Sequence, residues 1–400
     1  MELRLAMALP ARASLDRLGV VLSAAGAAAL IGLPFVVFKA NRILPGEARD
    51  LQQVLPLWGA LGVQVMLLLT AAVAVGVTDA KRRLVAALAG VIVLALAIAT
   101  AANTLTPAGD HVVRVAPGGA FWVLLICLGL MATDAITRLR PRPLVRVLLL
   151  AAAVAITCAV LAHGLFDNLS VMREYAVNAG RFPLELSRHV WLAGGSLLAA
   201  VIVGLPLGIL CHRAPRLRTP VLGTLNVIQT IPAIALFGIL MAPLGALAAR
   251  VPAAAALGIR GIGAAPAVVA LFLYSLLPIV ANTVVGLRRV SHAAVEAALG
   301  MGMTPWQVLF RIELPLALPV ILTGIRVVLV QNIGMVTVAA LIGGGGLGTF
   351  VFQGIGQTAI DLVLLGAIPI VVLAFSASVL LDALVEVLDR TASASPEPAP

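Results

Sequence analysis

The stretch Glu296–Pro315 reads "EAALGMGMTPWQVLFRIELP" and holds two carboxylates, an arginine and two prolines. The residues around it are almost all alanine, leucine, valine, isoleucine and glycine. Other residues that could do chemistry stand in unproductive patterns. Gly343, Gly345 and Gly348 satisfy G-x-G-x-x-G, yet no strand precedes them and no Gly-Lys-Ser/Thr follows, so a nucleotide fingerprint is excluded. Cys127, Cys158 and Cys211 each lie within an apolar run, too far apart for a metal or redox motif. No Walker motif occurs anywhere. The chain does not hydrolyse ATP by itself, and its polar stretch serves binding or mechanics.

The stretch encodes a helical hairpin. Ser291 can cap a short helix beginning "HAAVEAALGM", in which Val295 and Leu299 share a face beside Ala298. Gly302 falls where a helix C′ residue sits, because glycine adopts positive φ without steric penalty. Thr304, Pro305 and Gln307 then form a capping box with proline at the first helical position. Trp306, Leu309 and Phe310 follow at i, i+3 and i+4, a single apolar stripe. Two readings stand at this level: an amphipathic hairpin lying at the membrane surface, or a rigid knob that another protein grips.

The elements that position this hairpin are membrane spans. Of the 400 residues, 62% are hydrophobic and 11% charged, with a mean hydropathy of +1.12. A soluble domain holds about 45–50% and about 25%. A span takes roughly 20 apolar residues, and runs of that length fall at 18–38, 57–77, 84–102, 120–136 and 147–165. A second set falls at 190–211, 220–246, 265–286, 318–340 and 362–385. The first run follows Arg4, Arg12 and Arg17, exceeds a signal peptide's core and has no small-residue cleavage site behind it. It is expected to be an uncleaved span. With the N-terminus inside, seventeen of the 27 lysines and arginines face the cytoplasm and nine face outward; Arg326 lies within a span, where snorkelling is expected. The net charge of +10 thus reflects orientation in the bilayer, not nucleic-acid binding. Both termini are expected inside, and the hairpin is then cytoplasmic. The two five-span halves do not match as inverted repeats would. "NVIQTIPAIALFG" and "LYSLLPIVANTVVG" are proline-interrupted, and the first half has no counterpart to either.

Glu296, Ala297, Ala298, Gly302, Ile312, Leu314 and Pro315 fill every fixed position of EAA-x3-G-x9-I-x-L-P. The stretch resembles the EAA loop of ABC-importer permeases. "NVIQTIPAIALFG", "ALFLYSLLPIVANTVVGLRRV" and "IGGGGLGTFVFQGI" extend the likeness to permeases for osmoprotectants such as glycine betaine, choline and carnitine, over about residues 185–386. The run Gly343–Gly346 departs mildly, since relatives have glycine–alanine–glycine–glycine there. The resemblance implies an all-α polytopic integral membrane protein with about ten transmembrane helices and a type I importer permease core in its C-terminal half. It implies that the EAA loop is a coupling helix seated in a groove of an ATPase subunit, and that the glycine run lies near the outer gate. It further implies a solute-binding protein outside, a second permease subunit that is the same or a related chain, and location in a bacterial inner membrane. No cofactor is expected in this chain; ATP and magnesium would belong to the ATPase.

The expected organisation is a cytoplasmic N-terminus (1–17), an extension of about five spans (18–165), an external linker (166–189), the permease core (190–386) with its EAA loop at 291–315, and a disordered tail (387–400). The extension lies outside the common permease core. Gln229, Thr230, Asn282, Thr283, Gln331 and Asn332 are polar residues within spans; they either line a solute pathway or bond helix to helix. With aromatics at 4%, a tight quaternary-ammonium cage is expected on a separate binding protein. A permease for another small solute, such as an amino acid, and an ion-coupled secondary transporter are the alternatives.

Overall fold

The apolar runs fold as helices, because backbone groups in a bilayer must find partners within their own segment. The computed structural model describes residues 15–393 except positions 43, 108 and 111. The N-terminal segment up to residue 14 and the tail beyond residue 393, both expected to be cytoplasmic, lie outside the described residues. The chain forms two compact units, Met1–Pro141 with Cys158–Arg173, and Arg142–Thr157 with Glu174–Pro400.

The first unit runs α1 (Arg17–Gly32), β1 (Val36–Lys39), β2 (Glu47–Arg49), α2 (Leu51–Val54), α3 (Leu57–Gly76), α4 (Ala80–Leu105), β3 (Arg114–Pro117) and α5 (Gly119–Leu139). The strands make a small antiparallel sheet in the order β2-β1-β3, with Val36 opposite both Arg49 and Pro117. The expected span 18–38 is therefore cut short. Leu33 precedes Pro34 and is extended at φ −126°, ψ 145°, as the residue before a proline prefers, and the chain turns into β1. The 16 residues of α1 reach about 24 Å, less than the hydrocarbon core of about 30 Å. Phe35, Val36, Leu94, Ile98, Val115 and Phe121 bury where sheet meets helices.

The other end of this unit is closed by charge. Arg83, fully buried, pairs with Asp16 at 3.3 Å and Asp134 at 3.1 Å, and Arg138 pairs with the same two carboxylates at 2.6 and 2.9 Å. Arg83 also donates to the Ala74 carbonyl at 2.7 Å. Two cations and two anions balance, which is the condition for ionised groups to persist out of water. The Gly19 backbone N–H, with help from Arg138 and Arg83, holds the Asp16 carboxyl below its ordinary range despite the opposing effect of burial.

Helix α6 (Pro143–Ala162) begins in the second unit and ends in the first, and α7 (Ser170–Asn178) does the reverse. The second unit continues with α8 (Phe182–Arg213), α9 (Pro215–Thr230), α10 (Ala233–Arg250), α11 (Pro252–Ala256) and α12 (Ala264–Arg288). It ends with α13 (His292–Gly300), α14 (Pro305–Val308), α15 (Leu314–Ala339), α16 (Gly348–Gly356) and α17 (Ile360–Ser393). The stretch 166–189 is thus largely helical, not a plain linker, and residues 387–393 continue α17 instead of starting a disordered tail. The expected span 220–246 is two helices: Ile231 is extended ahead of Pro232 (φ −70°, ψ 127°), the rule that also ends α1. Nine helices among the described residues are long and apolar enough to cross a membrane, one fewer than expected.

Helix α12 is the spine of this unit. Gly204 and Gly208, one turn apart on α8, face Ile279 and Thr283 so closely that an added Cβ would lie 2.9 and 2.5 Å from them. Small residues at that spacing bring backbones together where hydrophobic association is weak. Arg326 of α15 does not snorkel as expected: it pairs with Asp382 of α17, which also binds Arg146 at 3.2 Å.

Candidate functional site: a hairpin and a glycine loop at opposite ends of one unit

The hairpin closes as its residues dictate. Ser291 accepts from the Ala294 N–H at 3.2 Å. At the far end of α13 the N–H groups of Gly302 and Met303 reach the carbonyls of Leu299 and Ala298 at 2.9 and 3.1 Å. That is a Schellman motif, which needs left-handed backbone at its C′ residue, and Gly302 supplies φ +83°. The capping box follows: Thr304 N–H donates to Gln307 Oε1 at 2.8 Å, and Gln307 N–H to Thr304 Oγ1 at 3.4 Å. Seven backbone groups are satisfied inside the seventeen residues Ser291–Gln307, so the two turns of the hairpin are closed by their own residues.

Its second arm does not stop before the membrane. Leu309–Glu313 form a π-helical turn that joins α14 to α15, and the whole run Pro305–Ile342 is one helical body. Pro315 explains the turn. It lacks an N–H and its ring crowds the carbonyl four residues back, and the Leu314 N–H reaches Leu309 O instead, the i→i−5 bond of a π turn. This splits the expected apolar stripe. Leu309 turns inward to Leu287, Ala317 and Ile321, while Trp306 and Phe310 stack outward at 6.0 Å between ring centroids. Ala298 is buried; Glu296, Ala297, Leu299, Gly302 and Pro315 are exposed, and Ile312 and Leu314 are half-buried. Among the described residues the charged partner of Glu296 is His292, at 3.9 Å.

At the other end of α15 the glycine run makes a buried turn. Gly343, Gly345 and Gly346 have φ of +78°, +76° and +85°. Gly346 N–H donates to Glu185 Oε2 at 2.7 Å, and Leu347 N–H to His189 Nδ1 at 3.3 Å. With Nδ1 accepting, Nε2 carries the proton and donates to Ile333 O at 2.9 Å. Glu185 and His189, one turn apart on α8, thus clamp the loop. Sequence reasoning missed both, because nothing local marks a partner some 160 residues away.

The six intramembrane polar residues separate by environment. Asn332 is fully buried and donates to Ser196 and Ser275 at 3.1 and 3.0 Å, tying α8, α12 and α15 together. Thr283 is buried and bonds to Ile279 O at 2.7 Å. Gln229 donates to Tyr274 O at 2.7 Å, and the Tyr274 hydroxyl donates to Ile231 O. Those bonds fasten the break between α9 and α10 to α12. Thr230 is exposed, and Asn282 and Gln331 are half-buried. The structure does not gather these six into one cluster.

Residues 201–393 match the family described as binding-protein-dependent transport system inner membrane component. Residues 16–172 match the N-terminal domain of the ABC transporter permease YehY. The osmoprotectant import permease protein OsmW of Salmonella typhimurium is 46% identical over 211 residues, 53% of this chain and 93% of that protein. The chain belongs to the binding-protein-dependent inner membrane component family. The carnitine transport permease protein OpuCD of Listeria monocytogenes is 40% identical over 54% of this chain and 90% of its own. The choline transport system permease protein OpuBD of Bacillus subtilis is 40% identical over 53% and 87%. The family makes this chain a multi-pass permease subunit of an ABC transporter with the type I permease fold in its second half. The hairpin and the glycine loop both fall inside the matched residues.

Proposed function

We propose that the chain is the membrane-spanning subunit of an ATP-driven importer for osmoprotectant-like quaternary amines, delivered by an external solute-binding protein. The observation that carries the coupling is the hairpin: a self-capped rigid body that leaves Leu299, Met301, Trp306 and Phe310 exposed at 47, 71, 69 and 59%. Exposed apolar side chains on a shape-stable knob are what a partner's groove buries. The ATPase seats there on Glu296 and Ala297, while the buried Ala298 packs the helix beneath them, Gly302 sets the turn and Ile312, Leu314 and Pro315 pass the load into α15. ATP and magnesium are held by that partner, since this sequence has no Walker motif. A second permease subunit, the same or a related chain, completes the channel.

The end of the first unit that holds Arg83 and Arg138 also carries Lys81, Arg82 and Arg140, which supports placing that end in the cytoplasm. The solute class follows the names of OsmW, OpuCD and OpuBD. Thr230, which is exposed, and Asn282 and Gln331, which are half-buried, are the better candidates for the pathway; Thr283 and Asn332 serve helix packing. Membranes holding the chain with its ATPase and binding protein should accumulate labelled glycine betaine or choline only with ATP. Uptake driven by an ion gradient without the ATPase would sink the proposal, and uptake of an amino acid alone would replace the solute.

A further inference from the structure

The EAA pattern leaves one position free inside its I-x-L-P end, and here that position is Glu313. Its side chain is 8% exposed, and a carboxylate so placed requires a partner. Arg213, the last residue of α8, donates to its Oε2 at 2.7 Å. The same guanidinium nitrogen reaches the Pro305 carbonyl oxygen at 3.4 Å. One arginine therefore touches the start of the hairpin's second arm and the end of the π turn. His212 lies in the field of Glu313, Arg213, Arg288 and Arg218, so this carboxylate stands among basic groups from α8, α9 and α12.

The geometry points to the Arg213–Glu313 pair as a strut that carries movement of the hairpin into α8. The inference rests on the hairpin being the ATPase's seat. The π turn is the hairpin's covalent joint to α15, a break in the regular i→i−4 ladder of the kind found frequently at functional sites. The apolar contacts of Leu309 in that region are non-directional and permit sliding. A body held by a short turn at residues 289–291 after α12 and by the π turn into α15 can swivel without moving what lies beyond those joints. A further, directional attachment removes that freedom, and a charge-assisted bond to a planar guanidinium supplies direction. Helix α8 then has a charged side chain engaged at each end: Arg213 on the hairpin, and Glu185 with His189 on the glycine loop. Its 32 residues span about 48 Å, so α8 joins the ATPase side of the unit to the opposite side. Glu313 and Arg213 are positioning residues for transport and contact no solute.

The test uses the full transporter in proteoliposomes, with Glu313→Gln, Arg213→Glu and the exchanged pair Glu313→Arg with Arg213→Glu. ATPase co-purification and ATP hydrolysis are measured beside solute uptake. Glu313→Gln should keep its ATPase and continue to hydrolyse ATP while uptake per ATP falls about fivefold or more, the lower end of ordinary coupling energies. The exchanged pair should recover at least half of that loss, which a merely space-filling role would not allow. Unchanged uptake per ATP in Glu313→Gln would overturn the strut, as would an exchanged pair no better than Arg213→Glu alone. Should Glu313→Gln fail to insert, the pair is a folding element and the strut is likewise overturned. Failure of the unaltered chain to bind the ATPase would overturn the coupling function instead.

Discussion

The hairpin and the glycine loop are two solutions to one problem, reversing the chain at the end of a helix, and they differ in where the backbone groups find partners. In the hairpin each partner lies within five residues in sequence: Ser291 with Ala294, the Schellman pair at Gly302, and the Thr304–Gln307 box. In the glycine loop the N–H groups of Gly346 and Leu347 depend on Glu185 and His189, 161 and 158 residues away. The hairpin keeps its shape wherever it goes. The loop has its shape only while α8 is beside it. A part that must be gripped and moved by another protein suits the first design, and a part that must register the position of a helix suits the second.

Breaking the loop's remote bond should have the largest effect on stability. Glu185→Ala leaves the buried Gly346 N–H without its acceptor, a loss of about 1–3 kcal/mol. Thermal unfolding of the purified chain in detergent should show a lower midpoint than for any single hairpin substitution, and Glu185→Gln should recover part of the shift because the amide oxygen can accept. A Glu185→Ala midpoint equal to that of the unaltered chain would erase the distinction between the two turns.

The same contrast decides what the sequence discloses. Ser291, Gly302, Thr304, Pro305 and Gln307 could be placed in advance because caps and turns are local and each residue type has one suitable position. The EAA spacing is equally local, and it points to a permease from the sequence alone. The clamp on the glycine loop was illegible, since Glu185 and His189 look like ordinary polar residues near a span's end. The Arg213–Glu313 pair was hidden for the same reason. Of the two interruptions expected from proline, the one at Pro232 is present and the one at Pro278 is not, since α12 runs unbroken from Ala264 to Arg288. Pro34 and Pro232 end helices through the residue before them, whereas Pro206, Pro278, Pro319 and Pro369 remain inside theirs. Run length sees apolarity but not that difference, so one span came out too long and another was drawn across a break. Pro315 did something composition cannot foretell, converting a helix start into a π turn.

The hairpin's own turn should give the next effect. Gly302→Val places a branched side chain on backbone at φ +83°, against a penalty of about 1–2 kcal/mol for left-handed geometry. Space is not the issue, because nothing lies within 4 Å of a Cβ there. The strain should open the Schellman turn while the spans remain inserted. Co-purification of the ATPase and uptake, compared at matched membrane levels, should both be lost. Normal uptake would mean that the hairpin is only an interfacial element.

Glu296→Ala should perturb the fold least and is for that reason the sharpest probe of contact. Glu296 faces solvent, and its one charged neighbour, His292, lies 3.9 Å away and pairs only when protonated. Exposed pairs of that kind contribute little, and alanine is the better helix former, so the unfolding midpoint should not fall. Among the described residues the carboxylate has no other charged partner. A reduced yield of co-purified ATPase, with an unchanged midpoint and normal insertion, would therefore measure a bond made across the interface. Raising salt should weaken the unaltered complex toward the level of the variant, because screening acts on that same charge. Equal ATPase recovery from both proteins at low salt would show that the seat is shaped by Ala297, Ala298 and the turn at Gly302 alone, with the leading carboxylate idle.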